Sequence, residues 1–252
     1  MKHKIILFSL LLTVFDCFAQ PRKNSHTALL IQLSYGGHLS AGDLADRFGN
    51  NFSIGGGIDL LTEKGNWILG IKAQNLFSKN VKEDVLAGIR DRDGFIIGNR
   101  EAGLGAYALI VLRERGLYAG GHIGKLFALS KNNPRSGLRI TLGVGLLQHK
   151  VRIQDESGGV SQIVDDYIKG YDQLSNGLAL EQFIGYQHIG KNRGFNFFAG
   201  FEFIQAFTKN RRNFNFVTRT IDTNQRFDAL LGFRLGWTIP VYIGEKGEDL
   251  IY

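Results

Sequence analysis

The side chains of this chain that could do chemistry are charged groups set at strand spacing among apolar ones. Asp59, Lys72, Arg139, Glu181, Glu202, Asp228 and Arg234 all fall on one side of alternating runs. Carboxylates and cations gathered on one face either neutralise one another as a polar core or line a path for protons or ions. His38, His122, His149 and His188 belong to four separate segments, with neither the i, i+4 nor the hairpin spacing that a zinc site uses. No metal or cofactor is expected. Ser175 with His149 or His188 would be the raw material of a lipid hydrolase, but no nucleophile motif surrounds the serine and no catalytic residue is assigned.

The segments that must position these groups read as β-strands. From Phe195 to Phe207 the chain places Phe195, Phe197, Ala199, Phe201, Phe203 and Phe207 on one side, against Asn196, Gly200, Glu202 and Ala206 on the other. Successive strand side chains point to opposite faces, so one face is apolar and the other small or polar. The same alternation runs through Ala28 to Gly36, Phe52 to Leu60, Trp67 to Phe77, Leu138 to Val151, Leu178 to His188 and Phe227 to Val241. From Ala106 to Leu129 the pattern is poorer, with Arg113-Glu114-Arg115-Gly116 interrupting it. Glu63 to Asn66, Asn132 to Gly137 and Gly190 to Gly194 carry the polar and glycine signals of tight turns.

Composition narrows the class. With 33 Gly but only 3 Pro, many glycines lie inside alternating runs, which suits strands whose walls curve or approach closely. Residues 1–19 have the anatomy of an export signal: Lys2 and Lys4, an apolar run from Ile5 to Phe15, then Cys17-Phe18-Ala19 before Gln20. Cys17 is the only cysteine, so the exported part, 20–252, has no disulfide or thiolate site. Export also removes nucleic acid as a partner. Beyond the signal no run reaches the roughly 20 apolar residues of a membrane helix, so a membrane form would have to be a closed barrel.

Long connections near 39–51, 78–100, 155–177 and 208–225 alternate with short turns. Outer-membrane barrels have this asymmetry, with both termini on the short-turn side and therefore an even strand number. Counted separately, the apolar runs give about nine strands, an odd number; taking Ala106 to Leu129 as one long, bulged strand makes the expected fold an all-β, antiparallel, up-and-down transmembrane barrel of eight strands, whereas keeping the runs separate and adding a short strand at Gly94 to Asn99 would make ten. A soluble β-sandwich or a lipocalin-like barrel would also alternate. Small, mixed-charge residues on the polar side, and aromatics such as Tyr35, Trp67, Phe77, Tyr186 and Trp237, favour the membrane form.

Phe18-Ala19-Gln20 at the signal's end, Gly145-Leu146-Leu147-Gln148-His149-Lys150, Gly170-Tyr171-Asp172-Gln173-Leu174 and Gly236-Trp237-Thr238-Ile239-Pro240-Val241-Tyr242 resemble small Bacteroidota outer-membrane barrels of the PorT-like type. The resemblance implies a role in assembly or secretion machinery at the outer membrane of a Gram-negative bacterium. It identifies no catalytic residue. One departure is the stretch Gly244 to Tyr252, which trails beyond the last strand.

An eight-stranded lumen is just wide enough to be filled by side chains, so the seven charged residues are expected to pair as an interior polar core. Function then moves to the loops. Tyr167, Tyr171, Asp172 and Leu174 are candidate contacts for a protein partner, and Lys209, Arg211, Arg212 and Arg219 for phosphates of outer-membrane lipid. The leading expectation is a non-enzymatic structural or accessory subunit of an envelope assembly or secretion complex. A barrel that binds or transports a small or lipidic ligand, and an outer-membrane lipid-modifying enzyme, are the alternatives.

Overall fold

The computed structural model describes residues 27–98, 106–156, 159–190 and 195–243. The export signal at 1–19, the loop positions Asn99 and Arg100, most of the turn at 190–194 and the tail from Gly244 to Tyr252 lie outside the described residues. Among the described residues, eight strands close into a barrel: β1 (Ala28–Gly42), β2 (Asn51–Leu61), β3 (Trp67–Ser78), β6 (Ile110–Ser130), β7 (Asn133–Asp155), β8 (Ser175–His188), β9 (Phe197–Asn210) and β10 (Gln225–Tyr242). Every pairing is antiparallel and joins strands that follow one another around the ring. Closure comes from β1 against β10, from Ala28 opposite Tyr242 to Gly42 opposite Asp228, so neither terminal strand has a bare edge.

The strand Ile97–Gly98 (β4) does exist within Gly94 to Asn99, where the strand completing ten was considered, but it pairs with Ala106–Tyr107 (β5) in a two-stranded ribbon outside the barrel. The ten-stranded alternative is therefore corrected to eight. The long strand expected from Ala106 is likewise divided, its barrel part starting at Ile110. The turn expected over Asn132 to Gly137 shrinks to Lys131 and Asn132, because Asn133, Pro134 and Arg135 already belong to β7. Pro134 falls where the register shifts between Ala128 and Ser130, a strand end at which its missing N–H breaks no regular ladder.

Short turns gather at one end of the barrel and long connections at the other. The loop end holds α1 (Leu44–Arg47), the β4–β5 ribbon and 3-10 turns at Ala87–Ile89, Ser161–Ile163 and Asp165–Gly170. β6 and β7 continue past their neighbours: β3 stops opposite Glu114 and β8 opposite His149, while the β6–β7 hairpin runs on to the pair Ile110 and Asp155. Alternation persists through Arg113-Glu114-Arg115, with Glu114 buried between two partly exposed arginines. The stretch is a continuation of the strand, not the interruption the sequence suggests.

The two faces meet different surroundings. Outward are Leu33, Ile54, Ile71, Leu142, Phe201, Phe233, Leu235 and many others that leave a continuous apolar band exposed. A band this large is stable only when covered by hydrocarbon or by another protein. Aromatics crowd its margins: Trp67, Tyr186, Phe197 and Trp237 toward the turn end, and Phe52, Phe77, Phe207 and Phe227 toward the loop end, with Phe52 and Phe77 6.3 Å apart and Phe207 and Phe227 5.6 Å apart. The lumen is narrow enough that glycines must face its bulky groups. A Cβ at Gly70 would lie 2.1 Å from Asp59 Oδ1, and one at Gly232 would lie 2.3 Å from the His38 ring.

Candidate functional site

Inward-facing residues alternate between apolar and polar layers along the barrel axis. The turn end is closed by Ala28, Leu30, Leu61, Ile68, Leu126 and Ile189, with Tyr242 against them. Next comes an ionic layer. Asp59 accepts hydrogen bonds from Gln32 at 2.9 Å and meets Arg139 Nη2 at 2.7 Å and His122 Nε2 at 2.9 Å. Lys72 Nζ reaches Glu181 at 2.7 Å and Glu202 at 2.5 Å, and Arg234 Nε lies 3.2 Å from Glu202. His38 and Gln74 complete the shell of Glu202, at 3.1 and 3.0 Å. Three carboxylates thus face three permanent cations in a compartment closed to water, the balance a low-dielectric site requires.

Two inward phenylalanines hold the arginines in place. Phe183 and Phe198 meet edge to face at 5.8 Å, and the guanidiniums of Arg139 and Arg234 lie over both rings at 4.9 to 5.7 Å. Each arginine combines carboxylate contact on one side with an aromatic face on the other.

Beyond this layer, Leu76, Tyr118, Leu147, Ala179, Ile204 and Leu230 form an apolar plug. A second polar layer follows, in which Asp228 accepts from Thr208 at 2.5 Å and pairs with His149 at 2.7 Å. In the same layer Asn51 donates to Glu114 at 3.2 Å, and Arg47 of α1 donates to Ser175 Oγ and to the Gln173 carbonyl. The loop end is finally covered by Leu44, Phe48, Val85, Leu86, Ile96, Val160 and Ile163.

All seven charged residues singled out in the sequence lie inside the barrel. Six occupy the ionic layer and Asp228 the second polar layer. The sequence reading did not include His38, His122, Gln32, Gln74 or Glu114 among them, although strand parity marks each as inward. Arg47 was beyond its reach, because it enters from a loop. Ser175 and His149 stand directly opposite in the β7–β8 register, yet Ser175 Oγ donates to the Gln173 carbonyl, and His149 gives Nε2 to Asp228. Both are buried under the cover. Among the described residues no three His, Cys, Asp or Glu gather as a metal site.

The candidate loop residues separate. Tyr167 is 64% exposed. Tyr171 packs edge on against Phe216 at 5.2 Å, and Leu174 is half-buried. Asp172 is a correction: it is buried and ties the loops together, receiving Arg212 Nε at 2.8 Å and Nη2 at 2.5 Å. The hydrogen bond to Asp172 raises the Arg212 guanidinium pKa. Arg211 is held by Asn176 at 2.5 Å, while Lys209 and Arg219 are exposed.

Other large apolar groups stand exposed on the loops. Phe95, Ile97, Tyr107 and Leu109 lie on and beside the β4–β5 ribbon, beyond the margin of the apolar band, with the Phe95 and Tyr107 rings 4.3 Å apart.

No protein-family model and no curated protein matches the chain. Solved structures with a similar course include Neisserial surface protein A, at 12% identity over 82% of this chain and 97% of that one, TM-score 0.40. Ail of Yersinia pestis, in complex with the heparin analogue sucrose octasulfate, is 10% identical over 85% of this chain and 100% of that one, TM-score 0.41. The N-terminal barrel of Pseudomonas aeruginosa OprF is 11% identical over 84% and 97%, TM-score 0.33. The architecture described above rests on this chain's own strand pairing.

Proposed function

We propose that this protein is a non-conducting, non-enzymatic barrel of the outer membrane of a Gram-negative bacterium that serves as a structural or accessory subunit of an envelope complex, docking its partner on the loop end. The observation that carries this reading is the exposed ribbon patch of Phe95, Ile97, Tyr107 and Leu109. Lipid accounts for the apolar band around the strands but not for aromatics on a loop ribbon beyond it, and aromatic anchors of this kind are what protein partners bury. The filled lumen supports the same reading, since the layered interior leaves the loops as the place for activity. The resemblance to PorT-like proteins points toward assembly or secretion machinery.

The test is affinity purification from gently solubilised native membranes. Wild-type protein should retain one stoichiometric partner, and F95S/Y107S should lose it while still inserting. A monomer in every mild detergent would overturn the docking role, and stepwise conductance in planar bilayers would overturn the closed lumen.

A further inference from the structure

The extended β6–β7 hairpin carries four cations on its outward face. Arg113 and Arg115 of β6 stand opposite Arg152 and Lys150 of β7 in the ladder. Like charges placed directly across an antiparallel pair repel and weaken it, so the arrangement costs stability unless something outside the chain neutralises it. Internal neutralisation is slight. Glu114, between the two arginines, points into the lumen. Lys150 lies 3.7 Å from Asp172, which is already held by Arg212 at 2.5 Å. Arg115 donates to the Glu114 carbonyl at 2.9 Å, and no ion pair of the described residues involves Arg113, Arg115 or Arg152.

Where this quartet sits indicates its ligand. The next outward pair down the hairpin is Leu117 opposite Gln148, and Phe77 flanks Arg115 on β3, so the cations sit at the loop-side margin of the apolar band. Farther down β6 the outward Ala119 leads to Gly121, where the wall sinks into a groove of about 940 Å³ bordered by Ile71, Ile123, Leu142 and Val144. A cationic head site above a small-residue depression with apolar walls has the form of a lipid site. Two cross-strand pairs separated by about 7 Å along the hairpin suit two anionic groups better than one. A phosphomonoester carries about −1.5 to −2 charges near neutral pH, so two of them match four cations.

We infer that this face of the β6–β7 hairpin binds a lipid bearing two phosphomonoesters, its phosphates on Arg113, Arg115, Lys150 and Arg152 and an acyl chain along Ala119 and Gly121. The inference rests on the membrane placement of the barrel. It replaces the loop cations Arg211 and Arg212, which have partners within the chain, as the lipid-phosphate contacts.

The test is native mass spectrometry of the detergent-solubilised full protein with diphosphorylated lipid A, its monophosphorylated form and phosphatidylethanolamine as probes. The diphosphorylated lipid should be retained at least about tenfold more strongly than either other lipid, a preference lost in R115Q/R152Q and kept in K209Q/R211Q. The pair R113Q/K150Q serves as a second variant should the first fail to fold. Equal retention of the three lipids, or an unchanged preference in the folded hairpin variants, would overturn the inference. Displacement of the lipid by inorganic phosphate at equal concentration would also overturn it, by showing a simple anion site. Failure of the wild-type barrel to insert into vesicles would instead strike at the membrane placement.

Discussion

Lys72 and Glu202, 130 positions apart in the chain, meet across the lumen at 2.5 Å. Lys72 also holds Glu181, so its charge serves two carboxylates that water cannot reach. Lys72→Met leaves Arg234 as the one permanent cation beside both and should destabilise the barrel by about 3 to 5 kcal/mol. Urea unfolding in vesicles, followed by Trp67 and Trp237 fluorescence, measures this. Adding Glu202→Gln should recover part of the loss by restoring charge balance. A loss under about 1 kcal/mol would show that the lysine is not what keeps these carboxylates charged.

Phe201 and Glu202 are neighbours on β9 that face opposite ways, the first 58% exposed and the second fully buried. Phe201→Arg puts a charge into the apolar band and should cost about 2 to 4 kcal/mol near the bilayer midplane. Glu202→Gln, which would be mild for an unpartnered glutamate, leaves two buried cations under-compensated and should cost at least as much. Folding F201R equally well with and without vesicles would contradict a lipid-facing band.

Asp172 ties the 156–174 and 211–224 loops through Arg212 and caps the Leu174 amide at 3.2 Å. Asp172→Asn should lower local stability by about 1.5 to 3 kcal/mol, the range for hydrogen bonds to charged groups. Faster hydrogen exchange confined to those two loops, with the barrel's own unfolding midpoint unchanged, is the expected result. Uniform acceleration across the strands would show instead that the loops and barrel unfold as one unit.

Asp84 accepts hydrogen bonds from Arg90 Nε at 2.6 Å and from the Leu86 amide at 3.2 Å. The Arg90 hydrogen bond is the main cause holding its carboxyl below the ordinary value. Because the folded pKa lies below the unfolded one, this link is fully present above the unfolded carboxylate value, near 3.9, and is lost as pH falls through the folded value. An NMR titration of the Asp84 side chain should give a midpoint below that of a free aspartate, with the Leu86 amide shifting alongside it. Arg90→Gln should move the midpoint upward, and an unmoved midpoint would remove Arg90 as the cause.

Much of the barrel was legible residue by residue. Parity along β9 assigned Phe201 outward and Glu202 inward, and the same rule put Asp59, Lys72, Arg139 and Arg234 on the lumen side. The errors fell where parity gives no guidance. Proline and asparagine at 132–134 read as a turn, although the register shift beside Ser130 lets β7 begin at Asn133. Arg113-Glu114-Arg115 read as a break because charges on both faces hid an unbroken alternation. Asp172 read as an exposed contact, whereas Arg212, forty positions away, draws it inside.

By itself, then, the sequence determined which side of each strand is greasy and which is polar, and where long loops interrupt the strands. Those properties are local: a two-residue repeat needs no knowledge of the neighbouring strand. The tertiary structure alone decided that Lys72 serves Glu181 and Glu202, that Arg47 descends from a loop onto Ser175, and that four outward cations share one hairpin face. Such meetings depend on the stagger between strands and on closure of β1 against β10, and no local pattern encodes the distance between residues a hundred positions apart.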